Sequence, residues 1–244
     1  MHLIGHTFVR WGFGHWTMLV LTAVGSVVLV VAGRRVRGSP AAVTLSKVFG
    51  MTMFVIALAR LLQLFLPGNF RIDQSIPLQL SDLLRFIGSY ALWSRRFWAT
   101  SLVYYWGLTF NIQSIITPNL YYGRYPIVDF TAYWSLHILV MWAAIFLTWG
   151  LGIRPTWRSY RIAIIGTLVW AAVTFTFNVL AGTNYGFLNA KPSSASLLSV
   201  MGPWPFYLLS AFVAMFVIWA LITWPWTARR SVTRERPGIP ASRG

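Results

Sequence analysis

Residues 77–94, PLQLSDLLRFIGSYALWS, decide how many times this chain crosses a membrane. Leucines and aromatic residues make the stretch apolar enough for a span, yet Gln79, Ser81, Asp82, Arg85 and Ser89 interrupt it. Its neighbours are clearer. A helix needs roughly 20 apolar residues to cross the hydrocarbon layer, and such runs lie near 17–33 and 43–66 before it, and near 97–117, 128–151, 160–181 and 203–224 after it. Counting residues 77–94 gives seven spans; leaving them out reverses the side of every later loop.

The basic residues arbitrate. With seven spans, fourteen of the 20 Lys and Arg fall on one side. They are Arg34, Arg35, Arg37 and Lys47 after the first span, Arg95 and Arg96 after the third, Arg154, Arg158 and Arg161 after the fifth, and Arg229, Arg230, Arg234, Arg236 and Arg243 after the seventh. Arg10, Arg71, Arg124 and Lys191 take the other side, and only Arg60 and Arg85 lie within spans. Cytoplasmic loops carry the Lys/Arg excess. The count therefore predicts an all-α polytopic bundle of seven transmembrane helices, with the N-terminus outside and the C-terminus cytoplasmic. Residues 1–226 form that single domain, and 227–244, rich in Arg, Ser and Pro, form a basic disordered tail that touches anionic lipid. The first apolar run ends in Arg34-Arg35 without a small-residue cleavage site, so it reads as an uncleaved helix.

Composition agrees. Of 244 residues, 57% are hydrophobic and 10% charged, against about a quarter charged in soluble domains. Twenty basic residues against four acidic ones would suggest nucleic acid in a soluble chain; here they follow topology, and no nucleic-acid partner is expected. Cys is absent, which excludes disulfides, thiolate metal sites and a cysteine nucleophile. The four His, at 2, 6, 15 and 137, do not cluster with carboxylates, so neither a metal nor a cofactor is expected. Residues 203–224 hold no Lys, which excludes a retinal Schiff base in the last span.

Polar side chains within spans face the bundle interior or a wet cavity. At about 100° per residue, Ser81, Asp82, Arg85 and Ser89 share a stripe of the third span. Asp129, Tyr133 and His137 share a face of the fifth, and Gly107, Asn111 and Ser114 one of the fourth. Thr174 with Asn178, and Tyr207 with Ser210, add the sixth and seventh spans. Most of these lie toward the outer ends of their spans. The loop between the sixth and seventh spans, with Gly182-Thr183-Asn184-Tyr185, Lys191-Pro192 and Gly202-Pro203-Trp204-Pro205, is on the same side and reads as a structured cap. The expectation is one polar cavity open toward the exterior, while Trp106, Trp134, Trp142 and Trp170 serve packing or lipid contact.

The segment Pro77-Leu78-Gln79-Leu80-Ser81-Asp82, His137, the run Gly182-Thr183-Asn184-Tyr185-Gly186-Phe187-Leu188 with Lys191-Pro192, and Gly202-Pro203-Trp204-Pro205-Phe206-Tyr207 occur in that order. Together they resemble the YwaF-like integral membrane proteins, bacterial proteins of about seven helices, over about residues 45–225. The resemblance implies a multi-pass protein of a bacterial plasma membrane. That family is related to a vertebrate branch described as a membrane acyltransferase that remodels ether phospholipids, which uses a Cys in the third-helix motif and a His on a later helix. The branch is compared in turn with Thr/His membrane hydrolases of lipid esters. The usual motif is Pro-Leu-His-Leu-Cys. Here Gln79 stands at the His position, Ser81 at the Cys position, and His137 matches the later His.

Those positions define the candidate chemistry. Ser81 supplies a hydroxyl nucleophile and His137 a base with a pKa suited to proton transfer. Asp82 or Asp129 orients the imidazole, and Asn111, Asn178 or Arg85 stabilises the oxyanion. At about 1.5 Å per residue, Ser81 lies about 6 Å below the outer start of its helix and His137 about 14 Å below its own. Without a dyad, Ser81 bonds a carbonyl one turn back and His137 is a buried strut. Asp82 and Arg85, three apart, form a pair, and Arg60 leaves the site with surplus positive charge for an anionic headgroup, extended by Lys191. Gln79, Asn184, Tyr185 and Tyr207 complete the expected binding set. Two functions fit: a lipid acyltransferase or lipid-ester hydrolase, or a non-catalytic binder or transporter of a lipidic or small anionic ligand. Membrane lipid is the partner in either case; protein partners are not readable.

Overall fold

Inside a bilayer the backbone has no water to bond, so an apolar run must close its own hydrogen bonds as helix. The computed structural model describes residues 8–120, 122–123, 125–192 and 197–232, and among them every regular element is helical. These are α1 (Phe13–Val36), α2 (Pro40–Leu64), α3 (Leu80–Ser94), α4 (Phe97–Leu108), α5 (Phe110–Ile116) and α6 (Pro126–Ile145), which a π-helical turn (Phe146–Gly150) extends. Then come α7 (Trp157–Ala181), short 3₁₀ turns at Tyr185–Phe187 and Leu197–Val200, and α8 (Phe206–Val232). Among the described residues, five helices are long and apolar enough to cross a membrane: α1, α2, α6 with its π turn, α7 and α8. Their outer faces are apolar, as on α1, where Val20, Val24, Val27, Val28 and Val31 are exposed.

The two remaining rods are shorter than expected. Residues 77–94 become helix only at Leu80, because Gln79 is extended (φ −61°, ψ 140°), leaving 15 residues in α3. The run at 97–117 breaks at Thr109 (φ −122°, ψ −68°) into α4 and α5. There the Thr109 hydroxyl and N–H both donate to the Tyr105 carbonyl, at 2.6 and 3.1 Å.

Other ends also shift. The first helix begins at Phe13, after Trp11 turns the chain at φ +64° and donates its N–H to His15 Nδ1 at 3.0 Å. The last begins at Phe206, not 203, since Pro203 and Pro205 precede it. It then continues through Pro225 to Val232, so helix extends into the segment expected to be a disordered tail. Residues 233–244 lie outside the described ones.

Helix α4 is the hub. Every residue from Ala99 to Gly107 is buried, and the helix packs against α3, α6 and α7. At the far side α1 meets the π turn so closely that a Cβ on Gly33 would sit 2.7 Å from the Gly150 Cα; small residues allow such approach where lipid offers no hydrophobic drive. Helix α8 runs beside α7 and reaches α4 mainly through long side chains. Tyr104 donates to the Ile222 carbonyl (2.9 Å), Tyr105 bonds Thr223 (2.6 Å), and Trp219 Nε1 donates to Thr109 Oγ1 (3.1 Å). All three anchors lie at or beyond the middle of α8.

Candidate functional site

The first half of α8 does not close against α3 and α5, and a cavity of about 370 Å³ lies between them. Its walls come from the start of α3, the α4–α5 break and α5, Thr167 and Trp170 of α7, residues 186–188, 192, 197, 198 and 201 after α7, and α8 from Tyr207 to Trp219. Most of the lining is apolar. Gln79, Ser81 and Tyr207 gather at the end where α3 and α8 begin, with Asn111, Gln113 and Ser114 on α5. Of the expected site residues, Gln79, Ser81, Asn111 and Tyr207 therefore share one cavity. Trp170, expected to serve packing or lipid contact, lines it as well.

Ser81 is the second residue of α3, and among the described residues no group hydrogen-bonds its hydroxyl. Its carbonyl accepts from Arg85 Nε at 3.3 Å. Gln79 precedes the helix, and its Oε1 accepts from the Gly186 N–H at 2.9 Å. Because an N–H can only donate, the amide oxygen must face Gly186. The NH₂ of Gln79 is then left with no protein partner among the described residues.

His137 is buried on α6 and held by Asn111 of α5 through two bonds. The Asn111 Nδ2 donates to the His137 carbonyl (2.9 Å), and the ring Nδ1 lies 2.7 Å from Asn111 Oδ1. A carbonyl cannot donate, so the Asn111 NH₂ must face it, and Oδ1 must then accept from Nδ1–H. The pair places a proton on Nδ1, so the neutral ring carries its lone pair on Nε2. The group that orients the imidazole is thus Asn111, not Asp82 or Asp129. Ser81 and His137 are not hydrogen-bonded to each other, and Asn111, not His137, lines the cavity.

Both aspartates are occupied by arginines. Arg85 pairs with Asp82 as expected, at 2.5 Å, while Arg60 crosses to Asp129 at 3.1 Å and also donates to Gln63. Asp129 Oδ2 further accepts the Gly123 N–H at 2.8 Å. Two cations against two anions leave no surplus charge. The expectation of an unpaired positive charge is corrected for this reason, and none of the four lines the cavity.

The 182–192 segment is organised from within. Asn178 donates to the Tyr185 carbonyl (2.9 Å) and Asn189 Oδ1 (2.8 Å) while accepting from Thr183 Oγ1 and the Tyr185 N–H, both at 2.8 Å. Both of its amide hydrogens are spent, so it has none for an oxyanion. Asn184 accepts the Asn189 and Ala190 N–H groups at 3.1 Å. Tyr185 donates to the Ile72 carbonyl at 2.8 Å and accepts the Ile76 N–H at 3.0 Å. Burial pushes its phenol up to about 12. Lys191 donates to the Ser199 carbonyl (3.2 Å) and lies 5.8 Å over the Tyr207 ring, and the Tyr207 hydroxyl donates to the Phe187 carbonyl. These residues build the cover of the cavity; of them, Phe187 and Tyr207 also line it.

Several lining residues were not singled out from sequence. Gln113 escaped because the Thr109 break resets the helical phase, so the face read from Gly107 to Ser114 does not run straight through. Trp219 sits in an unbroken apolar run with no polar neighbour to mark it. No curated protein and no solved structure matches this chain. One family profile does, over residues 10–223, from before α1 to deep within α8. That extent covers nearly the whole chain, including every element of the cavity, and the protein belongs to the TMEM164 family.

Proposed function

We propose that this TMEM164-family protein is a seven-span protein of a bacterial plasma membrane, N-terminus outside, that cleaves or transfers the acyl chain of a membrane lipid. Topology draws on the fourteen-to-four division of basic residues, with α3 and the broken α4–α5 rod as the third and fourth spans. The lipid's acyl chain occupies the cavity, and its ester lies at the end lined by Ser81 and Gln79. The Ser81 oxygen attacks the ester carbonyl carbon while His137 Nε2 takes the hydroxyl proton. The tetrahedral oxyanion is met by the NH₂ of Gln79. Collapse breaks the ester C–O bond, and the imidazolium returns its proton to the departing lysolipid alkoxide. Water, or the hydroxyl of a second lipid, then attacks the acyl-Ser81 ester with His137 again as base, releasing a fatty acid or a new ester.

The observation that carries this reading is the Asn111–His137 pairing, which leaves the Nε2 lone pair unpartnered among the described residues. A nucleophile, a base and a third group orienting the base are the parts such chemistry requires. Catalytic hydrogen bonds are often loose without substrate; since His137 does not line the cavity, a rearrangement must bring Nε2 to Ser81 as the ester seats. Arg60, Arg85 and Lys191 then hold the structure around the site, with the headgroup outside it. A second reading draws on the missing Ser81–His137 bond: a non-catalytic binder or transporter of a lipid that uses the same cavity.

A serine-directed fluorophosphonate separates the two. Labelling at Ser81, lost in Ser81→Ala and in His137→Ala, is expected. Folded protein that holds lipid but stays unlabelled would support the binder instead.

A further inference from the structure

Resting on the reading that an acyl chain fills the cavity, we infer that Trp219 is the floor that sets how long a chain the site accepts. The cavity follows α8, whose lining begins at Tyr207 and ends at Trp219, about 18 Å of helix. Every α8 lining side chain between them is apolar: Leu208, Ala211, Phe212, Ala214, Met215 and Ile218.

The two ends differ in what their polar groups have left to give. At the Ser81 end, the Ser81 hydroxyl and the Gln79 NH₂ have no partner among the described residues. At the Trp219 end, Thr109 donates to the Tyr105 carbonyl (2.6 Å) and accepts from Trp219 Nε1 (3.1 Å). Thr167 likewise donates to the Ala163 carbonyl and accepts from Trp106 Nε1, both at 2.8 Å. An ester finds donors only at the first end. The second end offers a ligand no donor from these groups, which suits a terminal methyl.

Trp219 is fully buried and fixed from several sides. Besides its bond to Thr109, its ring meets Phe110 edge-on at 5.8 Å and lies tilted on Tyr105 at 5.1 Å between centroids. The helix break at Thr109 and the floor are thus one device: the residue that interrupts α4–α5 also receives the indole. Beyond the indole, the Tyr105–Thr223 hydrogen bond (2.6 Å) forms a second barrier. Removing the indole therefore deepens the cavity by only a few methylene groups.

The test uses Ser81→Ala protein, which holds lipid without turnover. It is incubated with phosphatidylethanolamines and phosphatidylglycerols that differ only in acyl chain length, and bound lipid is read by native mass spectrometry. Adding Trp219→Ala should shift the bound population toward longer chains, and Trp219→Phe should shift it less in the same direction. Ala211→Phe fills the channel nearer Tyr207 and should shift it toward shorter chains. Trp219→Phe, the milder change, decides the matter if Trp219→Ala does not fold. An unchanged length distribution in folded variants overturns the inference and leaves the acyl-chain reading standing. Absence of bound lipid from the Ser81→Ala parent overturns both.

Discussion

Asn111 and His137 grip each other twice, side chain to backbone at 2.9 Å and side chain to ring at 2.7 Å, across two different helices. The double contact settles which imidazole nitrogen carries the proton, and it does so without a carboxylate. Asn111→Ala removes both bonds. Turnover should fall about a hundredfold with little change in KM, as for a lost acid–base alignment. The orphaned His137 Nδ1–H should also cost about 1–3 kcal/mol of stability. Kinetics and chemical denaturation in detergent check the two effects separately.

Gln79→Glu tests the oxyanion donor. A carboxylate still accepts the Gly186 N–H, so the cover should stay in place, but it has no NH₂ to give. Turnover should drop by roughly a hundredfold or more, as on losing one oxyanion donor, with bound lipid retained. A fully active Gln79→Glu protein would remove Gln79 from the mechanism.

Ser81→Cys places a thiol, also a competent nucleophile, at the proposed attacking position. The variant should retain turnover and become sensitive to thiol-directed reagents, in a chain that otherwise has no Cys. An inactive but folded Ser81→Cys protein would count against a nucleophile at this position.

Much of this arrangement was readable in the chain, for a physical reason. Polar groups within apolar runs must converge, so the stripe through Ser81 and the faces of Asn111 and Tyr207 were visible as periodicity, and all three line one cavity. Pairing between distant helices was not. Asp82 and Arg85 are three residues apart and could be matched by spacing, whereas Arg60 and Asp129 lie on α2 and α6 and only packing brings them together. The basic surplus also does more than follow topology. Arg37 donates to the Gly150 carbonyl at 2.7 and 3.0 Å, and Arg95 donates to the Ala42 carbonyl at 2.7 Å. Such contacts satisfy carbonyls at a helix end, or tie one helix to the next, and composition carries no sign of them.

The Arg60–Asp129 pair gives a stability prediction. Arg60→Ala leaves a carboxylate in a largely buried setting and should destabilise by about 3 kcal/mol. Replacing both residues by apolar ones, as in Arg60→Met with Asp129→Leu, should recover most of the loss. Denaturation of the two single variants and the double variant measures the coupling; additive losses would mean that the pair does not act as a unit.

Gly186 probes the cover. Its φ is +65°, and an added Cβ would lie 2.6 Å from the Trp170 ring, whose Nε1 bonds the Leu78 carbonyl at 2.9 Å. Gly186→Ala should cost about 1–2 kcal/mol from the left-handed backbone alone. It should also loosen the Gln79 contact, seen as lower turnover than the stability loss explains.

The most direct measurement is the covalent intermediate itself. Protein given a phospholipid with an isotope-labelled acyl chain, quenched in acid and digested, should yield the peptide bearing Ser81 with one labelled acyl ester. The adduct should vanish in Ser81→Ala and fall sharply in His137→Ala. An unmodified Ser81 in protein that turns over or tightly holds the same lipid would contradict the account.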